Sequence, residues 1–266
     1  MSPLLKLALD AVMQAGKIVM GEYESPDGGQ YLIKEDGSPL TRADSASSDY
    51  LVQTLEKGSS IPVVSEERLG TLPSGDFWLV DPVDGTKEFL ARTGEFTINV
   101  ALIREGKPYL GVIFAPALAE CYFAEAGQGA YQVLHGQQIA LPVVPAKDWI
   151  LARSRFHDEP RVEQFARQNN IEKNVIVGAA LKFGRLAAGQ VTVYARYQNS
   201  MEWDTAAGQI LLQEAKGSMI DLHTGYPPVY GKPGFRNHFF LACGFGLQLG
   251  KLKLVLHSNG IPVGKD

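Results

Sequence analysis

Apolar residues recur every three or four positions through 3–24. Leu4, Ala8, Ala11, Val12, Ala15, Ile18 and Val19 share one face, which predicts an amphipathic helix with Pro3 in its first turn. Turn residues at 25–29 end it. A second turn at 36–39 predicts a hairpin tip, and a second helix is expected over 43–57, before Gly58. The pattern then changes to short apolar runs. Residues 62–65 and 77–80 read as strands, the latter stopping at Asp81-Pro82. Runs at 96–103, 109–114, 120–124, 130–134 and 138–141 continue as strands, the first two joined by a Gly-containing loop at 104–107. Residues 1–145 thus predict helices packed on an antiparallel sheet.

Pro142 and Pro145 suggest a boundary near 142–147. In 146–266 the two periods alternate. Strands are expected at 149–153, 174–178, 191–195, 218–221 and 238–242, and helices at 159–169, 180–188, 204–216 and 245–256. That order favours a mixed or mainly parallel sheet with helices on its faces. The polar, Gly-rich tail from Ser258 is expected to fray.

Composition narrows the function. With 45% apolar residues the chain can fill a core, which excludes general disorder. A net charge of −4 argues against a broad basic face for a nucleic acid polymer, but not against a small anion. Cys121 and Cys243 do not make a disulfide framework and read as small buried residues in a reducing compartment. The longest apolar run, 108–119, carries Pro116 and is too short to span a bilayer. Lys6, Asp10 and Lys17 interrupt the N-terminal stretch, so no signal peptide is read there.

The chemistry concentrates in carboxylates. The 77–80 strand delivers Asp81 and Asp84 into a turn containing Pro82 and Gly85. Two like charges this close repel unless a cation lies between them. With no His or Cys pattern nearby, oxygen donors select a hard cation such as Mg2+. Taken alone, Asp81 and Asp84 also read as turn and cap residues. A second strand end presents Ser65-Glu66-Glu67, either to the same cleft or as a solvated acidic loop. Asp204 opens an Ala- and Leu-rich helix and, taken alone, reads as its N-cap.

Together, Glu66-Glu67, Asp81-Pro82-Val83-Asp84-Gly85-Thr86 and Trp203-Asp204-Thr205-Ala206-Ala207-Gly208 resemble the signature of the inositol monophosphatase superfamily of Mg2+-dependent, lithium-sensitive phosphatases. The likeness runs from Asp44 past Gly217. Within it the chain is most similar to the CysQ-type 3'(2'),5'-bisphosphate nucleotidases. Lys87-Glu88-Phe89 matches them where inositol phosphatases usually carry Thr-Asn-Phe. The stretches Gly94-Glu95-Phe96-Thr97-Ile98-Asn99 and Gly111-Val112-Ile113-Phe114-Ala115-Pro116 match as well. Ser154-Arg155-Phe156-His157 stands where that family has Ser-Arg-Ser-His.

The resemblance implies a layered αβαβα sandwich of the inositol monophosphatase and fructose-1,6-bisphosphatase type. It implies metal ligation by Glu66, Asp81, Asp84, Asp204 and the backbone carbonyl of Val83, with two or three Mg2+. It makes Asp44, Thr86 and Glu66 the catalytic set, with Asp44 holding the Thr86 hydroxyl that orients an attacking water. Gly85 and Thr86 would bind phosphate through N–H groups, and Ser154, His157, Lys182 and Arg196 would contact the rest of the substrate. The implied partner is a small phosphorylated molecule, above all 3'-phosphoadenosine 5'-phosphate, hydrolysed to AMP and phosphate. An inositol or sugar monophosphatase is the second enzyme reading, and a non-catalytic phosphate-ligand binder the third. Retention of Asp44, Glu66, Asp81, Asp84, Thr86 and Asp204 together argues against the third. One departure stands out: Gly178-Ala179-Ala180 replaces the family's Gly-Ser-Ser and removes a hydroxyl. A cytoplasmic monomer is expected, with peripheral contact to the inner membrane left open.

Overall fold

The structure, a computed structural model, describes residues 1–34, 37–143, 145, 147–156 and 159–255. Helices α1 (Pro3–Glu24) and α2 (Arg42–Ser59) flank a hairpin of β1 (Tyr31–Ile33) and β2 (Pro39–Thr41). Ser2 caps α1 by accepting from the Leu5 N–H at 3.1 Å. Then come β3 (Val63–Ser65), β4 (Phe77–Asp84), the short helix α3 (Thr86–Leu90), β5 (Thr97–Arg104), β6 (Lys107–Ala115), β7 (Glu120–Glu125), β8 (Gly129–Leu134) and β9 (Gln137–Leu141). Strands β3 to β9 form one sheet in chain order, with β3 parallel to β4 and each later neighbour antiparallel.

The chain continues through β10 (Ile150–Arg153), α4 (Pro160–Gln168), β11 (Lys173–Ile176), α5 (Leu181–Ala187), β12 (Val193–Arg196) and β13 (Ser200–Met201). It ends with α6 (Ala206–Glu214), β14 (Ser218–Asp221), β15 (Arg236–Asn237) and β16 (Phe240–Cys243). A mixed sheet forms in the order β11-β10-β12-β16-β14, and β13 pairs with β15.

Strand alternation sorts the side chains into layers. Trp78, Val80, Val100, Leu102 and Val112 pack against Ala8, Val12 and Val19 of α1 and Leu51 and Leu55 of α2. Phe77, Leu79, Ala101, Ile103 and Ile113 face the other way, onto Leu181, Leu186, Ala207 and Ile210 of α5 and α6. Those two helices also cover Ala152, Tyr194 and Ala242 of the five-stranded sheet. That sheet's outer face, with Leu151, Val193 and Leu241, packs on Val162 and Phe165 of α4. The stack is therefore α-β-α-β-α, the layered sandwich expected. Cys121 and Cys243 are both buried and free.

The central helices approach the large sheet closely at glycines. A Cβ on Gly111 would fall 2.7 Å from the Ala207 Cα and 2.7 Å from Ile210 Cγ2. Gly111→Ala is expected to force β6 and α6 apart, at a cost of about 1–3 kcal/mol. A thermal melt checks this, and an unchanged midpoint would mean that the two elements do not touch there.

Three expectations are corrected. Strand β4 does not stop at Asp81-Pro82 but continues to Asp84 through a bulge. The helix expected over 204–216 is Ala206–Glu214, and Asp204 instead closes a 3-10 turn at Glu202–Asp204. Over 245–255 there is no helix but a single 3-10 turn, Leu249–Lys251, and residue 256 lies outside the described residues. Gly244, Gly246 and Gly250 lower helix propensity there, and Gly246 takes φ +93. The expected hairpin at 36–39 is flanked by β1 and β2, although residues 35 and 36 lie outside the described residues, as does the tail from 258.

Candidate active site

The site is built on the bulge in β4. Pairing with β5 runs to Asp81↔Asn99 and resumes at Asp84↔Thr97, so Pro82 and Val83 together face Ile98 alone. Pro82 has no N–H to give a ladder, which makes a bulge the natural place for it. The Asp81 carboxylate accepts from the Val83 N–H at 3.2 Å. Gly85 then takes φ +88, a conformation glycine adopts freely, and turns the chain into α3.

Parallel pairing brings the second strand end alongside. Ser65 lies opposite Val80, and the Glu66 N–H donates to the Val80 carbonyl at 3.1 Å, so Glu66 emerges beside Asp81. Asp204 arrives from the opposite half of the chain. Its carboxylate accepts from the Met201 N–H at 2.8 Å and caps the 3-10 turn, while Thr205 is the N-cap of α6. That turn is anchored by the fully buried Glu202, which accepts from the N–H groups of Gly231 (2.6 Å) and Lys232 (3.0 Å) and pairs with the Lys232 ammonium at 2.6 Å.

Asp44 is the third residue of α2 and forms a capping box with Thr41, whose N–H donates to it at 2.8 Å. Its other oxygen accepts from the Thr86 hydroxyl at 3.4 Å, the pairing anticipated from the resemblance. Asp84 accepts from the Ala180 N–H at 2.5 Å and the Asn99 amide at 3.3 Å. Glu66, Asp81, Val83, Asp84, Gly85, Thr86 and Asp204 line one cleft, with Asp44 buried beneath Thr86.

Burial is the first cause of raised proton affinity throughout this cluster. It acts with Asp84 and Glu66 to push Asp204 up to about 8. It pushes Glu66 up to about 7 despite the opposing Lys34 ammonium. Asp81 is raised well above the usual range by burial and then by Glu66, Asp84 and Asp204. Asp84 and Asp44 are raised by burial too, opposed by Lys182 and the Ala180 N–H for Asp84 and by Thr41 for Asp44.

A cluster of mutually repelling oxygen donors suits a hard cation. Carboxylates together with the Val83 carbonyl fit Mg2+ by donor chemistry. Each carboxylate is meanwhile bonded within the protein. The Lys34 ammonium pairs with Glu66 at 2.7 Å and with Glu67, and the N–H groups of Val83, Ala180 and Met201 hold Asp81, Asp84 and Asp204. Among the described residues, no three His, Cys, Asp or Glu side chains stand close enough together in this arrangement to chelate an ion.

Ser154, Lys182 and Arg196 line the same cleft, with Ala179 and Ala180. Lys182 is 4% exposed, donates to the Val177 carbonyl at 3.1 Å and stands 5.2 Å from the centre of the Tyr194 ring, so it is not a solvated surface cation. His157 lies outside the described residues. Four participants escaped the sequence reading. Lys34, Asn99 and Glu202 act on or beside site carboxylates. The fourth, Glu88, is 2% exposed and lines the cleft with one carboxylate oxygen unpartnered. Asn99, a polar residue inside an apolar strand, carried a visible signal. Lys34 lies 32 residues from Glu66 and carried none.

A sequence model of the Inositol monophosphatase family matches residues 1–239, and the chain belongs to that family. The 3'(2'),5'-bisphosphate nucleotidase CysQ of Salmonella typhimurium is 35% identical over 246 residues, covering 88% of this chain and 98% of that protein. The solved structure of CysQ from Bacteroides thetaiotaomicron superposes with a TM-score of 0.80 at 31% identity, over 92% of this chain and 97% of that one. Inositol monophosphatase II of Staphylococcus aureus shares the fold, with a TM-score of 0.75 at 24% identity over 91% and 90% of the chains.

Proposed function

We propose that this chain is a Mg2+-dependent 3'(2'),5'-bisphosphate nucleotidase that converts 3'-phosphoadenosine 5'-phosphate to AMP and phosphate. The observation that carries this reading is a single cleft lined both by the carboxylates and by the cations Lys182 and Arg196. Its support from relatives is that the CysQ nucleotidases match along nearly their whole length.

Glu66, Asp81, Asp84, Asp204 and the Val83 carbonyl would hold two or three Mg2+. When bound, such ions neutralise phosphate charge and lower the pKa of water. The Thr86 hydroxyl stands 3.4 Å from both the Asp44 carboxylate and the Val83 carbonyl, and a hydrogen bond donated to Asp44 would leave its oxygen lone pairs free to accept from an attacking water and aim it at phosphorus. The N–H groups of Gly85 and Thr86 would donate to the phosphate oxygens. Lys182, Arg196, Ser154 and His157 would take the second phosphate and the ribose.

Ala179 and Ala180 on the cleft wall favour one second reading, a sugar or inositol phosphatase with weaker demand for hydrogen bonds there. Phosphate release from the bisphosphate nucleotide, inositol 1-phosphate and fructose 1,6-bisphosphate separates the two. The expected result is preference for the nucleotide, with activity lost in EDTA and reduced by lithium. No turnover of any substrate would sink the enzyme reading, and preference for inositol phosphate would sink the nucleotidase reading. The cellular role fitting this activity is removal of a by-product of sulfate assimilation, by a cytoplasmic monomer. Among the described residues, no helix is long and apolar enough to cross a membrane.

A further inference from the structure

A small second cavity lies behind the cleft wall at Arg196. Arg196, Tyr194 and Ser154 line both spaces, and Glu159, Val162 and Ala195 help to close the inner one. The inner cavity has room for a single water molecule.

Two of its lining residues each carry a buried polar atom with no hydrogen-bond partner. One is Arg196 Nε, an N–H donor, and the other is Glu159 Oε2, an acceptor. Their chemistry is complementary, yet they do not bond directly. One further atom of each side chain is held. Glu159 Oε1 accepts from the Arg161 N–H at 3.2 Å and from the Arg161 guanidinium, and Arg196 Nη2 donates to the Asn199 carbonyl at 3.3 Å. Burial opposes the Arg196 charge, and Tyr194, Asp204 and Asp84 outweigh it. Buried charged groups left without partners are rare in native proteins and are commonly completed by ordered water.

We propose that one buried water bridges Arg196 and Glu159, accepting from Nε and donating to Oε2, and that Glu159 is thereby a positioning residue for Arg196. The guanidinium is then fixed from behind while its front meets the substrate's second anionic group. This assignment rests on the nucleotidase reading for the role of Arg196, but the water itself does not.

A high-resolution crystal structure of the full chain tests the water. Density within hydrogen-bonding distance of both atoms is expected, and an empty cavity, or a water bonded to neither, overturns the proposal. Kinetics test the positioning role. Glu159→Ser keeps a capping acceptor for α4 but cannot reach the water. It is expected to raise KM for 3'-phosphoadenosine 5'-phosphate about tenfold, the scale of one charged hydrogen bond, with kcat changed less than about twofold. Glu159→Gln keeps one acceptor oxygen where the carboxylate has two, one of them already held by Arg161, and is expected to restore part of the affinity. For a substrate with one phosphate, such as 2'-AMP, KM is expected to stay within about twofold. An unchanged KM, a parallel fall in kcat, or Gln no better than Ser overturns the positioning role. Failure of the wild type to hydrolyse any bisphosphate would sink the nucleotidase reading, whereas the crystal structure would still decide the bridging water.

Discussion

Asp84→Asn is expected to cut phosphate release by more than about 100-fold, beyond the 10–100-fold typical of losing a group that merely supports a metal ligand. The substitution is nearly isosteric. The side-chain oxygen can still accept from the Ala180 N–H, so the loop at 178–180 keeps its anchor. What disappears is a negative charge in a cluster where Asp84 helps to raise both Asp81 and Asp204. Calorimetric Mg2+ binding should be lost while the circular dichroism spectrum is unchanged. In EDTA at pH 8 the variant should melt no lower than the wild type, because one source of repulsion is gone. Normal turnover would show that Asp84 is no ligand, and a collapsed spectrum would show that its role is structural.

The second large effect links stability to pH and metal. In the folded protein Glu66 titrates at about 7 and Asp204 at about 8, against ordinary values of 4.5 and 3.8. The folded state therefore keeps protons that the unfolded chain has already released. Stability from these groups is complete below their ordinary values and is lost as pH rises through about 7 and 8. Burial opposes the charge on Lys34, but Glu66 and Glu67 raise its affinity overall, so it stays charged through this window. In EDTA the melting temperature should fall by about 8–16 °C between pH 6 and pH 8.5, from about 4 kcal/mol of lost stabilisation at roughly 2–4 °C per kcal/mol for this size. Mg2+ should restore more at pH 8.5 than at pH 6, because protons compete with the ion for the same oxygens. A flat profile in EDTA, or a larger Mg2+ effect at pH 6, would count against a carboxylate metal centre.

Much of the layering was legible because it depends on short periods. A continuous apolar run such as Phe77-Trp78-Leu79-Val80 announces a buried strand, and the structure shows its alternate residues packed on the two faces; the three-four spacing of α1 announces a helix against one of them. The strand-end carboxylates were legible for the same reason, since an apolar run that meets Asp81 marks where a buried strand reaches a cleft. Local pattern failed where tertiary packing decides. Leu249, Leu252 and Val255 have helical spacing, yet nearby glycines leave them to pack singly on the α4 layer. Asp204 looked like a helix cap because the 3-10 turn it closes is held by a distant segment, where Gly231 and Lys232 donate to Glu202 of that turn. Lys34 and Glu159 act on residues 32 and 37 positions away, respectively, a relation that no window of sequence contains.

The middle layer of the sandwich bears on how this protein could be cut and rejoined. Helices α5 and α6 belong by sequence to the second half, but they cover Leu79, Ala101 and Ile113 of the first. A chain divided near 145 would leave the seven-stranded sheet with one naked apolar face and no Asp204 for its cleft. The prolines there mark a change of sheet, not a seam between exchangeable modules. Fragment complementation or domain shuffling would have to carry α5 and α6 with the first half, so the recombination unit of this fold is the pair of helices with the sheet they cover.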